Sequence, residues 1–139
     1  MTKPKLPPAT DWRARNIADW NVSTFIAFIT ETTAERYNAE YQPGGRGAKS
    51  TRWARERGML KQAQGRYGNA VLRRFIEICW AEYRTNKPDE YPYPSVFFMF
   101  SYMDRCVVKA QQEVAKDNRK KNTKGSMEGM NLDELSKWF

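Results

Sequence analysis

The chain has no histidine and only two cysteines among its 139 residues, and no stretch of it approaches the roughly 18 consecutive apolar residues of a membrane span. Each absence excludes something. Cys79 and Cys106 stand far apart, with no CxxC spacing, so neither a zinc site nor a disulfide framework is indicated. Both fall inside apolar periodic segments and read as buried, reduced thiols. The phosphate-loop pattern GxxxxGK[ST], the dinucleotide pattern GxGxxG and any cluster of carboxylates at metal-ligand spacing are also missing. Neither metal nor cofactor is therefore expected, and no nucleophile or acid-base pair can be assembled for catalysis. Glu31, Glu35, Glu77 and Glu82 read as solvated or as partners of nearby arginines. Residues 44–50, Gly-Gly-Arg-Gly-Ala-Lys-Ser, end in Lys-Ser ahead of a helix, but no apolar strand precedes them. They are expected to form a flexible loop that could touch phosphate through its amides and Lys49. Sustained strand alternation and repeats of 20–50 residues are absent as well.

The remainder is rich in cations and rings. Net charge is +8, and aromatic residues make up 14%, with five Trp. The charge is concentrated: residues 49–87 hold ten Lys and Arg against three Glu, and residues 116–125 hold five against one Asp. Arginine dominates the first block, and its planar fork suits phosphate and stacks on bases. Lys49, Arg52, Arg55, Arg57, Lys61, Arg66, Arg73 and Arg74, with Lys120 and Lys121 farther on, are the candidate contacts to a nucleic-acid backbone, DNA above all, without sequence reading. Trp53 and Tyr67 could stack bases beside them, although both also fit the apolar side of a helix.

Helical periodicity runs through the middle of the chain. Asn21 or Ser23 can cap a helix carrying Phe25, Phe28, Ile29, Tyr37 and Tyr41, ended by Pro43-Gly44-Gly45. Ser50 can cap a second, with Trp53, Leu60, Ala63 and Tyr67 on one face and Gly58 as a point of weakness. Gly65 and Gly68 predict a turn, after which Asn69 starts a strongly amphipathic helix with Leu72, Phe75, Ile76, Cys79, Trp80 and Tyr83. Three prolines punctuate residues 86–94. Ser95 then caps a last helix, with Val96, Phe100, Met103, Val107, Ala110 and Val114 on its stripe. The expected fold is an all-α compact bundle of about four helices.

Both ends differ from this body. Residues 1–10 (MTKPKLPPAT) have two Lys, three Pro and no apolar core, so they are expected to be a flexible arm and not a signal peptide, which points to the cytoplasm. The helical domain would span residues 11–116. Residues 117–129 (DNRKKNTKGSMEG) carry no aromatic and no branched aliphatic side chain, and are expected to be a basic flexible linker. Residues 130–139 (MNLDELSKWF) bring Leu132, Leu135, Trp138 and Phe139 together, large apolar side chains that are costly to leave in water. They are expected to dock on a protein partner or to fold back on the body.

Residues 20–115, with Arg57-Gly58-Met59-Leu60-Lys61, Arg66-Tyr67-Gly68-Asn69 and Tyr91-Pro92-Tyr93-Pro94-Ser95 as landmarks, resemble the helical modules of bacteriophage replisome organisers and small helicase loaders. The resemblance implies a non-enzymatic, DNA-associated accessory role in a replication or transcription machine. Glu134-Leu135-Ser136-Lys137-Trp138-Phe139 is similar to peptides that dock on sliding clamps, with Glu134 where those carry Gln. The tail also resembles the acidic-hydrophobic ends of phage polymerases, late-transcription coactivators and single-stranded-DNA-binding proteins. A sliding clamp, a helicase or an RNA polymerase is the kind of partner these resemblances imply. The alternative is a phage takeover factor that binds and inhibits or redirects a host polymerase, helicase or nuclease.

Overall fold

A computed structural model describes residues 6–128, with side chains to residue 121. The described residues form five α-helices and no strand: α1 (Val22–Tyr37), α2 (Lys49–Tyr67), α3 (Asn69–Glu82), α4 (Val96–Tyr102) and α5 (Cys106–Glu128), preceded by one 3-10 turn at Ile17–Asp19. No helix among them is long and apolar enough to cross a membrane.

Local chemistry accounts for most boundaries. The Asn21 side chain accepts the Thr24 amide at 3.0 Å while Thr24 Oγ1 accepts the Asn21 amide at 3.2 Å, a reciprocal cap that starts α1. Ser95 Oγ accepts the Phe98 amide at 3.1 Å and starts α4. Helix α1 stops earlier than Pro43 because Asn38 takes the left-handed conformation, φ 52° and ψ 44°, a conformation that short polar Asn tolerates. Tyr41 is therefore a loop residue. Helix α2 passes through Gly58 and Gly65 unbroken and ends only at Gly68, with φ 85° and ψ 163°. That backbone region is open essentially to glycine alone, so the turn sits two residues later than the glycine pattern suggests, and α3 starts at once. Asn69 opens α3 without capping it. Its Nδ2 instead donates to the carbonyls of Ile17 at 2.8 Å and Trp20 at 2.9 Å, and Gln64 donates to the same Trp20 carbonyl at 2.7 Å. These bonds hold the segment ahead of α1 against the α2–α3 junction.

The stripe from Val96 to Val114 is interrupted. Cys106 and Val107 amides bond to the carbonyls three residues back, Met103 and Asp104, each at 3.0 Å, and this tight turn separates α4 from α5. Met99, Met103, Cys106 and Ala110 are all buried across it, so their alternating spacing of four and three conceals the break. Helix α5 also continues to Glu128, through most of the stretch expected to be a flexible linker. Its Lys and Arg residues are good helix formers, and a helix already begun upstream can be extended without a core. The first described residues are held as well: Arg15 Nε donates to the Pro7 carbonyl at 2.9 Å.

The core joins Trp20 to Phe25, Phe28 and Ile29 of α1, Leu60 and Ala63 of α2, Leu72, Phe75, Ile76 and Trp80 of α3, and Val96 and Met99 of α4. Burying each large side chain is worth about 1.5–3 kcal/mol. Helix α5 lies along α3, whereas α2 has α1, α3 and α4 as neighbours. Cys79 and Cys106 are free and buried between α3 and α5, and burial pushes both thiols up.

Candidate nucleic-acid interface

Helix α2 reads KSTRWARERGMLKQAQGRY and contains six cations and a single carboxylate, Glu56. Its inward side is fixed by Leu60 and Ala63, and Glu56 shares that side, being 2% exposed. A buried carboxylate must find donors or it destabilises the fold. Tyr41 Oη donates to Glu56 Oε1 at 2.5 Å, and the amides of Gly44 and Phe97 donate to Oε2 at 2.8 and 3.1 Å. Tyr41 Oη in turn accepts the Val96 amide at 2.9 Å. Glu56 thus knots α2 to the loop after α1 and to the start of α4. Desolvation pushes its carboxyl above the usual carboxylate range, opposed by the three hydrogen bonds and by the nearby Arg52 charge. The Tyr41 phenol is raised, first by burial and then by Glu56.

The knot also settles the glycine-rich loop. The Gly44 amide points inward to Glu56 and is not presented to a phosphate. A Cβ on Gly44 would come within 2.1 Å of Ser95 Oγ, so only glycine lets the two loops meet. Arg52 Nη1 closes the same corner by donating to the Pro43 carbonyl at 2.8 Å.

Because the only acid of α2 is turned inward, the outer surface of that helix carries cations alone. Lys49, Arg57, Lys61 and Arg66 are exposed, and no ion pair forms on any α2 cation among the described residues. The cations do not make one stripe. Arg57 and Lys61, four residues apart, share one flank; Arg55 and Arg66 occupy the other, where Arg55 donates to the Arg46 carbonyl at 3.0 Å and lies 5.5 Å from the Phe97 ring. The two arginines of α3 are absorbed elsewhere. Arg73 sits 5.0 Å from the Trp20 ring and 5.2 Å from Phe28, with Glu77 at 3.8 Å, and Arg74 pairs with Glu113 of α5 at 3.0 Å. Lys120 and Lys121 are exposed on α5, whose packing partner is α3 and not α2. Trp53 and Tyr67 are partly buried against the core, which leaves neither as an open stacking platform. Leu132, Leu135, Trp138 and Phe139 lie outside the described residues.

Beside Arg52 a cleft of about 820 Å³ opens between the Gly44 loop, the loop after α3 and the outer side of α4. Of the tyrosines in its lining, only Tyr83 belongs to the periodic pattern of the sequence; Tyr91 lies in a loop and Tyr102 ends α4, and the signal they leave is the density of tyrosine and proline in residues 83–102. Among the described residues no group of three or more His, Cys, Asp or Glu comes together as a metal site requires.

No protein-family model matches the chain, and neither a characterised protein nor a solved structure is similar to it at a significant level.

Proposed function

We propose that this chain is a non-enzymatic, DNA-associated accessory protein, of the kind its sequence resembles in phage replication and transcription machines. In this reading it holds the nucleic-acid backbone through α2 and a protein partner through residues 130–139. The observation that carries the first half is the inward placement of Glu56: six cations remain on a helix whose outer surface has no carboxylate to neutralise them. Such a surface attracts polyanions and releases their counterions on contact. Contacts to phosphate alone give register without sequence preference. The second half rests on the apolar composition of the tail, which would raise the local concentration of the body at its partner.

The test is fluorescence anisotropy with labelled DNA over a range of salt. Wild type should bind with a steep salt dependence, and the double variant Arg57→Glu with Lys61→Glu should bind more weakly, with a slope reduced by about two. Absence of binding to either single- or double-stranded DNA at low salt would remove the first half. Partner capture that survives deletion of residues 130–139 would remove the second.

A further inference from the structure

The aromatic cleft is not used by the phosphate-binding reading, yet it contains the most exposed rings of the body. Tyr91 and Tyr102 are 59% and 66% exposed, although tyrosine rings gain from burial. The Tyr102 ring is packed in place, and the backbone at Tyr91 is anchored. Tyr83 Oη donates to the Tyr91 carbonyl at 2.9 Å. The Phe98 ring lies 5.0 Å from Tyr102 and 5.5 Å, edge to face, from Tyr83. The result is a packed run of three rings, Tyr83, Phe98 and Tyr102, with the exposed Tyr91 anchored beside it through its backbone.

Two cations belong to the same lining, Arg52 and Arg84, against one carboxylate, Glu90. Arg84 is oriented by bonds to the carbonyls of Ala81 at 3.1 Å and Tyr83 at 2.8 Å. Arg52 is shared with α2, so the cleft is continuous with the cationic helix, and its buried Nε meets no acceptor among the described residues. The volume falls within the range of about 300–1,000 Å³ usual for small-molecule sites.

We propose that this cleft receives unpaired nucleobases, stacked on Tyr91 and Tyr102 with Arg52 and Arg84 at the flanking phosphates, so that the polymer bound is single-stranded. The proposal rests on the α2 reading and deepens it, since a strand whose phosphates lie along α2 can turn its bases into the adjoining rings. Stacking on aromatic side chains tolerates any base, because every base has a π-face. Paired bases are unavailable to it.

The test uses an oligothymidylate of about twelve nucleotides, within the span that such sites cover, an abasic strand of the same length and charge, and a proline-rich peptide as competitor. Anisotropy should show the thymidylate bound at least about tenfold more tightly than the abasic strand. That preference should vanish in Tyr91→Ala with Tyr102→Ala and persist in Tyr91→Phe with Tyr102→Phe, which keeps the rings; circular dichroism checks that each variant is folded. Equal, salt-sensitive binding of the two strands overturns the cleft and leaves the α2 reading standing. A thymidylate preference that ignores salt supports the cleft and sinks the α2 reading. Binding of neither strand overturns both, and occupation of the cleft by the proline-rich peptide without thymidylate binding identifies the wrong class of ligand.

Discussion

Helices α2 and α3 both bring arginine to the surface block of positive charge, but they use it in opposite ways. On α2 the one acid is turned inward and knotted to backbone amides, so the cations outside form no ion pair with a carboxylate among the described residues. On α3 the arginines are taken up by the fold, Arg73 against a ring cluster and Arg74 in a bridge to α5. Net charge by segment therefore does not report the charge a partner would meet. What decides it is whether each carboxylate lies beside the cations or beneath them.

The comparison breaks most sharply at Glu56. Glu56→Ala leaves Tyr41 Oη and two amides without their acceptor in a buried place, and should cost about 3 kcal/mol or more in urea denaturation. Glu56→Gln should cost less, because its amide oxygen can keep one set of donors. The pair also predicts a pH dependence. Burial raises the folded carboxyl above its ordinary 4.5, so the folded state holds this proton more tightly than the unfolded one. The contribution is fully present below about 4.5 and fades as pH rises through the folded value. Wild-type stability measured relative to Glu56→Gln, which cancels the other carboxylates, should accordingly fall as pH is raised from 4 toward neutrality.

Smaller effects sharpen the contrast. Arg73→Ala removes a cation held against the Trp20 and Phe28 rings and should cost about 1 kcal/mol, while changing DNA affinity little. Arg74→Ala breaks a half-exposed bridge and should cost about 0.5 kcal/mol. The exposed pair Arg57→Glu with Lys61→Glu should move the unfolding midpoint least of all and DNA affinity most. If Arg73→Ala weakened DNA binding as much as that pair, the division between the two helices would be wrong.

Sequence pattern made much of this architecture legible where the determinant is local. Asn21 and Ser95 announce the helices they cap, and the apolar repeat of α3 is plain. Other features depend on partners distant in sequence. The break between α4 and α5 leaves the apolar spacing intact, so periodicity passes over it. Glu56 looks like any helical acid until Tyr41, Gly44 and Phe97 are folded against it. Of the exposed rings of the cleft, Tyr91 is a loop residue and Tyr102 is the last residue of α4, so neither falls on a repeating apolar stripe. The extension of α5 to Glu128 shows that a polar stretch without a core can continue a helix already nucleated upstream, since adding a turn to an existing helix avoids the cost of starting one.

That extension sets a length scale. From Ala115 to Lys121 the side chains of α5 are all exposed, and the helix runs on to Glu128, so its last fourteen residues span about 20 Å at 1.5 Å per residue. Under the proposed tail docking, a protein gripping residues beyond Glu128 would be held about that far along α5 from the last side chains half-buried on it, Glu113 and Val114. Shortening α5 by whole turns would alter that reach in steps of about 5.4 Å.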